Sequence, residues 1–145
     1  MELNFLPAGQ NELQNIRELL TKNNLPIDDL SEPDIKFFGL YYEQKLIGTI
    51  GIEKYDNTGL LRSMAIIDEL KNQGIGGALL GHFLDWCDGE GIAQLFLITT
   101  TAERFFSKHG FSKIERGLVP DEIQKTREFK DICPSSAIVM IRVIG

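Results

Sequence analysis

The residues with the plainest chemical potential are three glycines in a polar run, Asp68-Glu69-Leu70-Lys71-Asn72-Gln73-Gly74-Ile75-Gly76-Gly77. An apolar stretch precedes this run and a helical apolar pattern follows it, so it reads as the passage from a strand into a helix. Without Cβ atoms the backbone there can approach a ligand closely, with several N–H groups pointing outward together. The first N–H groups of a helix have no internal partner, and the helix dipole is positive at that end. A phosphate or pyrophosphate fits such a place, and Lys71 adds a mobile cation. The alternative is a turn whose glycines only relieve strain, and the run by itself does not choose between the two. Two nucleotide-binding patterns are excluded. The P-loop spacing GxxxxGK[ST] is absent. In a dinucleotide fingerprint Leu79 would occupy the third glycine's place, and polar residues separate the run from the strand.

The other chemistry-bearing residues are sparse. Cys87 and Cys133 lie far apart in sequence with no CxxC neighbour, so they read as reduced thiols, and no metal site is expected. His82 and His109 stand singly in helix-like stretches and read as surface or packing residues.

The elements that must position these residues follow from periodicity. Asn4 to Leu6 reads as a strand, and Asn11 to Asn23 as a helix with Leu13, Ile16, Leu19 and Leu20 on one side. Ile27 to Glu32 reads as a turn or short helix. Three strands follow, Ile35 to Tyr42, Leu46 to Tyr55 and Leu60 to Ile67, joined by turns at Glu43-Gln44 and Asp56-Asn57-Thr58-Gly59. Gly76 to Glu90 carries Leu79, Leu80, Phe83, Leu84, Trp86 and Cys87 at helical offsets, with Gly91 placed to end the helix. Gln94 to Thr99 is a buried-type strand, so strand, helix and strand imply a right-handed parallel crossover. Thr101 is placed to cap a helix from Ala102 to His109, with Gly110 beyond it and Phe111 packing back on Phe105 or Phe106. Ser112 to Arg116 and Ala137 to Val143 close the sheet, and Pro120 is placed to start a short helix.

The composition fits one globular domain. The 145 residues are 43% hydrophobic and 25% charged, which excludes a disordered chain, a collagen repeat and a disulfide scaffold. No apolar stretch approaches the length of a membrane span. Met1 to Gln10 has no basic start with a long apolar core, so a secretory signal is not expected, and a cytoplasmic location is. Twenty-one acids against 15 bases give a net charge of −6, which argues against a nucleic-acid partner and mildly favours amines.

The glycine run resembles the acetyl-CoA signature of the GNAT acetyltransferase superfamily, Arg/Gln-x-x-Gly-x-Gly/Ala after a hydrophobic strand. Met64-Ala65-Ile66 corresponds to that strand, and Lys71-Asn72-Gln73-Gly74-Ile75-Gly76 to the signature, with Lys in the first position. A second element, Ala102-Glu103-Arg104-Phe105-Phe106-Ser107-Lys108-His109-Gly110-Phe111, matches the family's Ala-x-x-Phe-Tyr-x-x-x-Gly-Phe. Together the two cover Leu60 to Arg116. The resemblance implies an α/β (α+β) GNAT fold over 1–145. Its mixed sheet has six to seven strands, an antiparallel N-terminal meander, a central parallel pair splayed in a V, and helices on both faces.

It also implies a mechanism with acetyl-CoA as co-substrate and no metal. The pantetheine arm lies in the V against Met64, Ala65 and Ile66, pairing with the backbone of Met64 and Ile66. The pyrophosphate rests on Lys71 to Gly77, and the second element contributes Ala102, Phe105 and Phe106. The Ile66 amide polarises the thioester carbonyl, and a small-molecule amine attacks directly. Three departures follow from the same comparison. Phe106 replaces the Tyr that often protonates the departing thiolate, which leaves neighbouring Ser107 as the nearest hydroxyl. The strand before the glycine run offers Arg62 and Ser63 but no acid, so Glu53 on the adjacent strand is the candidate base. Thr99 stands where relatives place an Asn that holds the cofactor arm. These vacancies also support a second reading, an acyl-CoA-binding sensor without transfer.

On the acceptor side, Arg62, Arg127 and Cys133 are the candidate substrate contacts, with Arg116 and Ser135 as further polar residues of the same tail. The runs Leu61 to Ala65, Thr99 to Ala102 and Cys133 to Ala137 are similar to a GNAT branch named for arsenic-resistance gene clusters. The resemblance further suggests a homodimer paired through the final strand, and an amino-acid-like or arsenic-related acceptor.

Overall fold

The computed structural model describes residues 2–25, 27, 30, 35–126, 129 and 137–144. Its centre is a seven-stranded sheet in the order β1-β2-β3-β4-β5-β7-β6. The strands are β1 (Asn4–Pro7), β2 (Ile35–Tyr42), β3 (Lys45–Tyr55), β4 (Thr58–Ile66), β5 (Gln94–Thr99), β6 (Ser112–Lys113) and β7 (Ile138–Val143). Neighbours are antiparallel except β4 and β5, which run parallel and are joined by the crossover helix α2 (Ile75–Gly89). The other helices are α1 (Leu13–Lys22), α3 (Glu103–Lys108) and α4 (Asp121–Gln124). Among the described residues, no helix is long and apolar enough to cross a membrane.

Alternation along the strands assigns the helices to faces. On one face α2 and α3 bury Leu79, Leu80, Phe83 and Phe106 against Phe38, Ile50, Leu95 and Leu97. On the other, α1 buries Ile16, Leu19 and Leu20 against Phe37 and Ala65, and α4 sets Ile123 against Leu60 and Phe96. The adjacent pairs Phe37/Phe38, Leu60/Leu61 and Leu95/Phe96 thus divide between the two cores, as the two-residue period requires.

β4 breaks that period next to the site. Leu61 and Ile66 share the α2 face although five positions separate them. The register explains it: Thr49 pairs with Ala65 and Gly51 with Arg62, so Ile50 alone is matched by two residues, Ser63 and Met64. The extra residue makes a β-bulge, and Ser63 takes the left-handed conformation at φ 57°. That conformation costs a residue with a Cβ about 1–2 kcal/mol.

Three expectations are corrected. The turn before β4 is only Asp56-Asn57, because β4 already begins at Thr58. Gly59 serves packing there: a Cβ would lie 2.7 Å from Ile52 Cδ1. The strand expected over Ser112 to Arg116 stops at Lys113, and a 3-10 turn at Arg116–Leu118 follows, with Arg116 donating to the Ala137 carbonyl at 3.1 Å. The first helix starts at Leu13, behind a 3-10 turn at Gln10–Glu12. The hairpin at Glu43-Gln44 has φ of 51° and 66°, the paired positive values of the tight turn that suits strand twist. The segment Ile27 to Glu32 lies mostly outside the described residues.

Candidate functional site

The ladder between β4 and β5 is short. It runs from Thr58 opposite Gln94 to Leu60 opposite Phe96, and beyond that the two strands have no mutual pairing. The later part of β4 bonds β3 on one side only, and its other edge opens onto a cleft of about 1380 Å³. Leu61 to Ile66 form one wall and Leu97 to Thr101 the other. An extended ligand entering this wedge meets backbone groups that have no strand partner, as at a sheet edge.

The glycine run forms the mouth of the cleft. A 3-10 turn at Asp68–Leu70 leads into Lys71, whose ammonium is 2.8 Å from the Asp68 carboxylate. That hydrogen bond, with the Lys71 charge, holds the Asp68 carboxyl below its ordinary pKa. Asn72 and Gly74 have φ of 64° and 82°, so the chain enters α2 through two left-handed residues. Gly74 occupies the N-cap and supplies no side-chain hydrogen bond, which leaves the first amides of a 15-residue helix available to an anion. Gly76 and Gly77 have a different use. A Cβ on Gly76 would sit 3.3 Å from the Phe105 ring, and one on Gly77 would sit 3.2 Å from His109 Cε1. These two glycines let α3 close against the first turn of α2.

α3 supplies the opposite lip. Gly110 takes φ 89°, and Phe111 packs edge-on against Phe106, centroids 5.4 Å apart. The hydroxyl that meets the helix start is Thr99 rather than Thr101: its Oγ1 accepts from the Ala102 amide at 2.9 Å. Thr99 ends β5 at the point where the chain turns, which puts its side chain within reach of that amide. The buried Phe106 lines the cleft, and it brings an apolar ring and no proton.

The charges of the site are segregated. Lys71 and Lys108 line the cleft with exposed side chains, the Arg62 guanidinium is buried against Glu53, and among the described residues no Asp or Glu lines the cleft, although the chain carries a net charge of −6. Glu53 is buried next to the site rather than in it. Arg62 Nη1 donates to Glu53 Oε2 at 2.9 Å, and the Tyr55 hydroxyl donates to Glu53 Oε1 at 2.8 Å. Both of its carboxylate oxygens are thus engaged on the α1/α4 face of the sheet.

The structure therefore brings Arg62, Met64, Ala65, Ile66, Lys71, Asn72, Gly74, Gly76, Gly77, Thr99, Ala102, Phe105 and Phe106 around one cleft. Glu53, Gln73, Ile75 and Ser107 do not line it. Ser107 is exposed, Ile75 points into the core, and Gln73 donates to the Glu69 carbonyl at 3.2 Å. Arg127, Cys133 and Ser135 lie outside the described residues. Asn23, Asn24 and Leu25 also line the cleft, at the end of α1, where helical periodicity marks no site residue. The available signal was Asn24 itself, a residue tolerant of the left-handed φ of 58° that turns the chain there.

Comparison with known proteins places this geometry. The profile of the Acetyltransferase (GNAT) family matches residues 7–111. An uncharacterized N-acetyltransferase of Chlorobaculum tepidum is 29% identical over 98 residues, 67% of this chain and 63% of that protein. An amino-acid acetyltransferase of Neisseria meningitidis is 27% identical over 94 residues, 63% of this chain and 21% of that protein. The chain thus spans less than two-thirds of the length of either relative. Among solved structures, the N-acetylglutamate synthase of Neisseria gonorrhoeae, complexed with coenzyme A and N-acetyl-glutamate, superposes with a TM-score of 0.82 at 19% identity, over 100% of this chain and 36% of that one. A GNAT-family acetyltransferase of Staphylococcus aureus Mu50 superposes with a TM-score of 0.81 at 24% identity, over 99% and 100% of the two chains. At these identities the structural likeness is one of fold.

Proposed function

The chain belongs to the acetyltransferase (GNAT) family, and from that premise we propose that it binds acetyl-CoA in the β4/β5 cleft and transfers the acetyl group to the primary amine of a small molecule. The observation that carries the proposal is the union, in one cleft, of an unpaired strand edge and an uncapped helix N-terminus, with Lys71 and Lys108 in the lining and no acid there among the described residues. In this reading the amides of Gly74 to Gly77 and the Lys71 ammonium hold the pyrophosphate. The open edge at Met64 and Ile66 pairs with the pantetheine arm as an added strand would. Acetyl-CoA supplies an activated acetyl thioester. The Ile66 amide stabilises charge on the carbonyl oxygen, and alignment of the amine against the thioester carries much of the rate. A thiol of pKa about 8.5 departs as its anion without a strong acid, so Phe106 is compatible with transfer.

The same lining supports an acceptor that carries an anionic group beside its amine, such as an acidic amino acid or an arsenic-bearing analogue. A polyamine would meet like charge in the cleft. A homodimer and a cytoplasmic location belong to the same reading, and analytical ultracentrifugation tests the first; pairing through the final strand is corrected, because β7 lies between β5 and β6 and is not an edge strand.

The experiment is steady-state release of free CoA from acetyl-CoA across a panel of amines, with melting temperature measured beside it. Acetyl-CoA is expected to raise the melting temperature, and anionic amino acids are expected to turn over faster than polyamines. No thermal shift and no release would reject the reading. A large shift with no turnover of any amine would favour a non-catalytic acyl-CoA sensor. Glu53, locked to Arg62 outside the cleft, and Phe106, which has no proton to give, are the observations on that side.

A further inference from the structure

In a regular strand, consecutive side chains point to opposite faces and do not touch. Arg62 and Ser63 do touch: Arg62 Nε donates to Ser63 Oγ at 3.1 Å. The contact exists because Ser63 is left-handed, at φ 57°, where the bulge inserts its extra residue. Serine has no intrinsic reason to take that conformation, since its Cβ opposes it. The guanidinium that meets the hydroxyl is itself fixed. The Arg62 side chain is 0% exposed, and its Nη1 is 2.9 Å from a Glu53 carboxylate that is 8% exposed. Tyr55 holds that carboxylate from the far side at 2.8 Å. Glu53, Tyr55, Arg62 and Ser63 therefore form a chain of buried polar contacts that ends on the one irregular residue of β4.

The bulge decides what the cleft sees. Backbone N–H and C=O groups alternate between the two edges of a strand, as side chains alternate between its faces. One inserted residue inverts both alternations for everything after it. Met64, Ala65 and Ile66 come directly after the insertion and form the wall of the cleft.

We propose that Arg62 is a positioning residue: anchored by Glu53, its guanidinium holds Ser63 in the left-handed conformation that makes the β4 bulge, and so sets which backbone groups of Met64 and Ile66 face the cleft. Its importance for activity rests on the reading that this cleft holds the acyl donor. Its effect on β4 does not.

Arg62→Lys tests it, because lysine keeps a cation for Glu53 but cannot also reach Ser63 Oγ with a second, fixed N–H. The expected result is a loss in kcat of about tenfold or more, with a smaller change in KM for acetyl-CoA, because the pyrophosphate loop is untouched. Adding Ser63→Gly to Arg62→Lys is expected to recover most of the lost kcat, since glycine adopts positive φ unaided. Ser63→Ala leaves the Glu53–Arg62 pair intact and is expected to repeat the loss, while Ser63→Gly alone costs less than Ser63→Ala. Amide hydrogen exchange over Met64 to Ile66 in the unliganded variants supplies a readout free of activity: faster in Arg62→Lys, restored in the double variant. Three results overturn the proposal. They are full kcat in both Arg62→Lys and Ser63→Ala, no recovery in the double variant, or unchanged exchange throughout. If wild type shows no use of acetyl-CoA, the functional reading fails while the exchange comparison still decides the role of Arg62.

Discussion

Cys87 is the clearest case of a residue whose chemistry is set by its surroundings. It lies on the buried side of α2, and burial, aided by the nearby Glu90 carboxylate, pushes its thiol up to about 12. A thiol held that high is almost never a thiolate near neutrality and does not act as a nucleophile. In native protein at pH 8, a thiol reagent is expected to modify Cys87 far more slowly than in urea-unfolded protein, as read by peptide mapping. The sign of the pH effect on stability follows from the direction of the shift. The folded value lies above the ordinary 9.0, so the stabilisation is complete below pH 9 and is lost as the pH climbs toward 12. Urea melts at pH 8 and pH 10.5 are expected to show that fall, and Cys87→Ala is expected to weaken it. This residue was legible in the sequence as an apolar helix position. The Glu53–Arg62 pair was not, because an acid and a base nine positions apart become neighbours only through strand register.

At the scale of elements, α2 shows two glycines with opposite consequences. Gly81 sits on the exposed side of the helix, and a Cβ there would meet nothing within 4 Å, so Gly81→Ala is expected to stabilise the fold by about 1 kcal/mol and leave acetyl-CoA binding unchanged. Gly74 has equal room but a φ of 82°, so Gly74→Ala forces a Cβ into left-handed backbone at a cost of about 1–2 kcal/mol. It is also expected to weaken acetyl-CoA binding, because the N-cap is where the chain turns its free amides outward; paired thermal melts and calorimetric titrations separate the two effects. The order of elements and the parallel crossover were readable from hydrophobic period and turn residues. The bulge was not, since Leu61-Arg62-Ser63-Met64-Ala65 carries no glycine to mark it; nor was the start of α3, where Thr101 makes no cap and the N-cap residue Ala102 donates to Thr99 instead. A hydroxyl run such as Thr99-Thr100-Thr101 offers three equivalent candidates until the end of β5 selects one.

Over the whole molecule, the distribution of charge matters more than its sum. A chain of net charge −6 lines its main cleft with Lys71 and Lys108 and, among the described residues, with no acid. Field lines from such a recess attract a polyanion against the overall charge. Lys71 and Lys108 are exposed to solvent, so salt screens them. Affinity for acetyl-CoA is therefore expected to fall several-fold between about 0.05 and 0.5 M salt, measured by calorimetry. An affinity indifferent to salt would assign the binding to backbone amides alone. Net charge alone gave no sign of a recess suited to a polyanion, because a sum over all residues cannot report which of them share a cleft.

The brevity of the contact between β4 and β5 reaches further than ligand access. Three ladder positions and one crossover helix carry the join between a four-stranded leaf and a three-stranded leaf of the same sheet. Such a seam has few backbone bonds to hold it, and a cofactor seated along it would act as a rivet, making the two leaves rise and fall in stability as one.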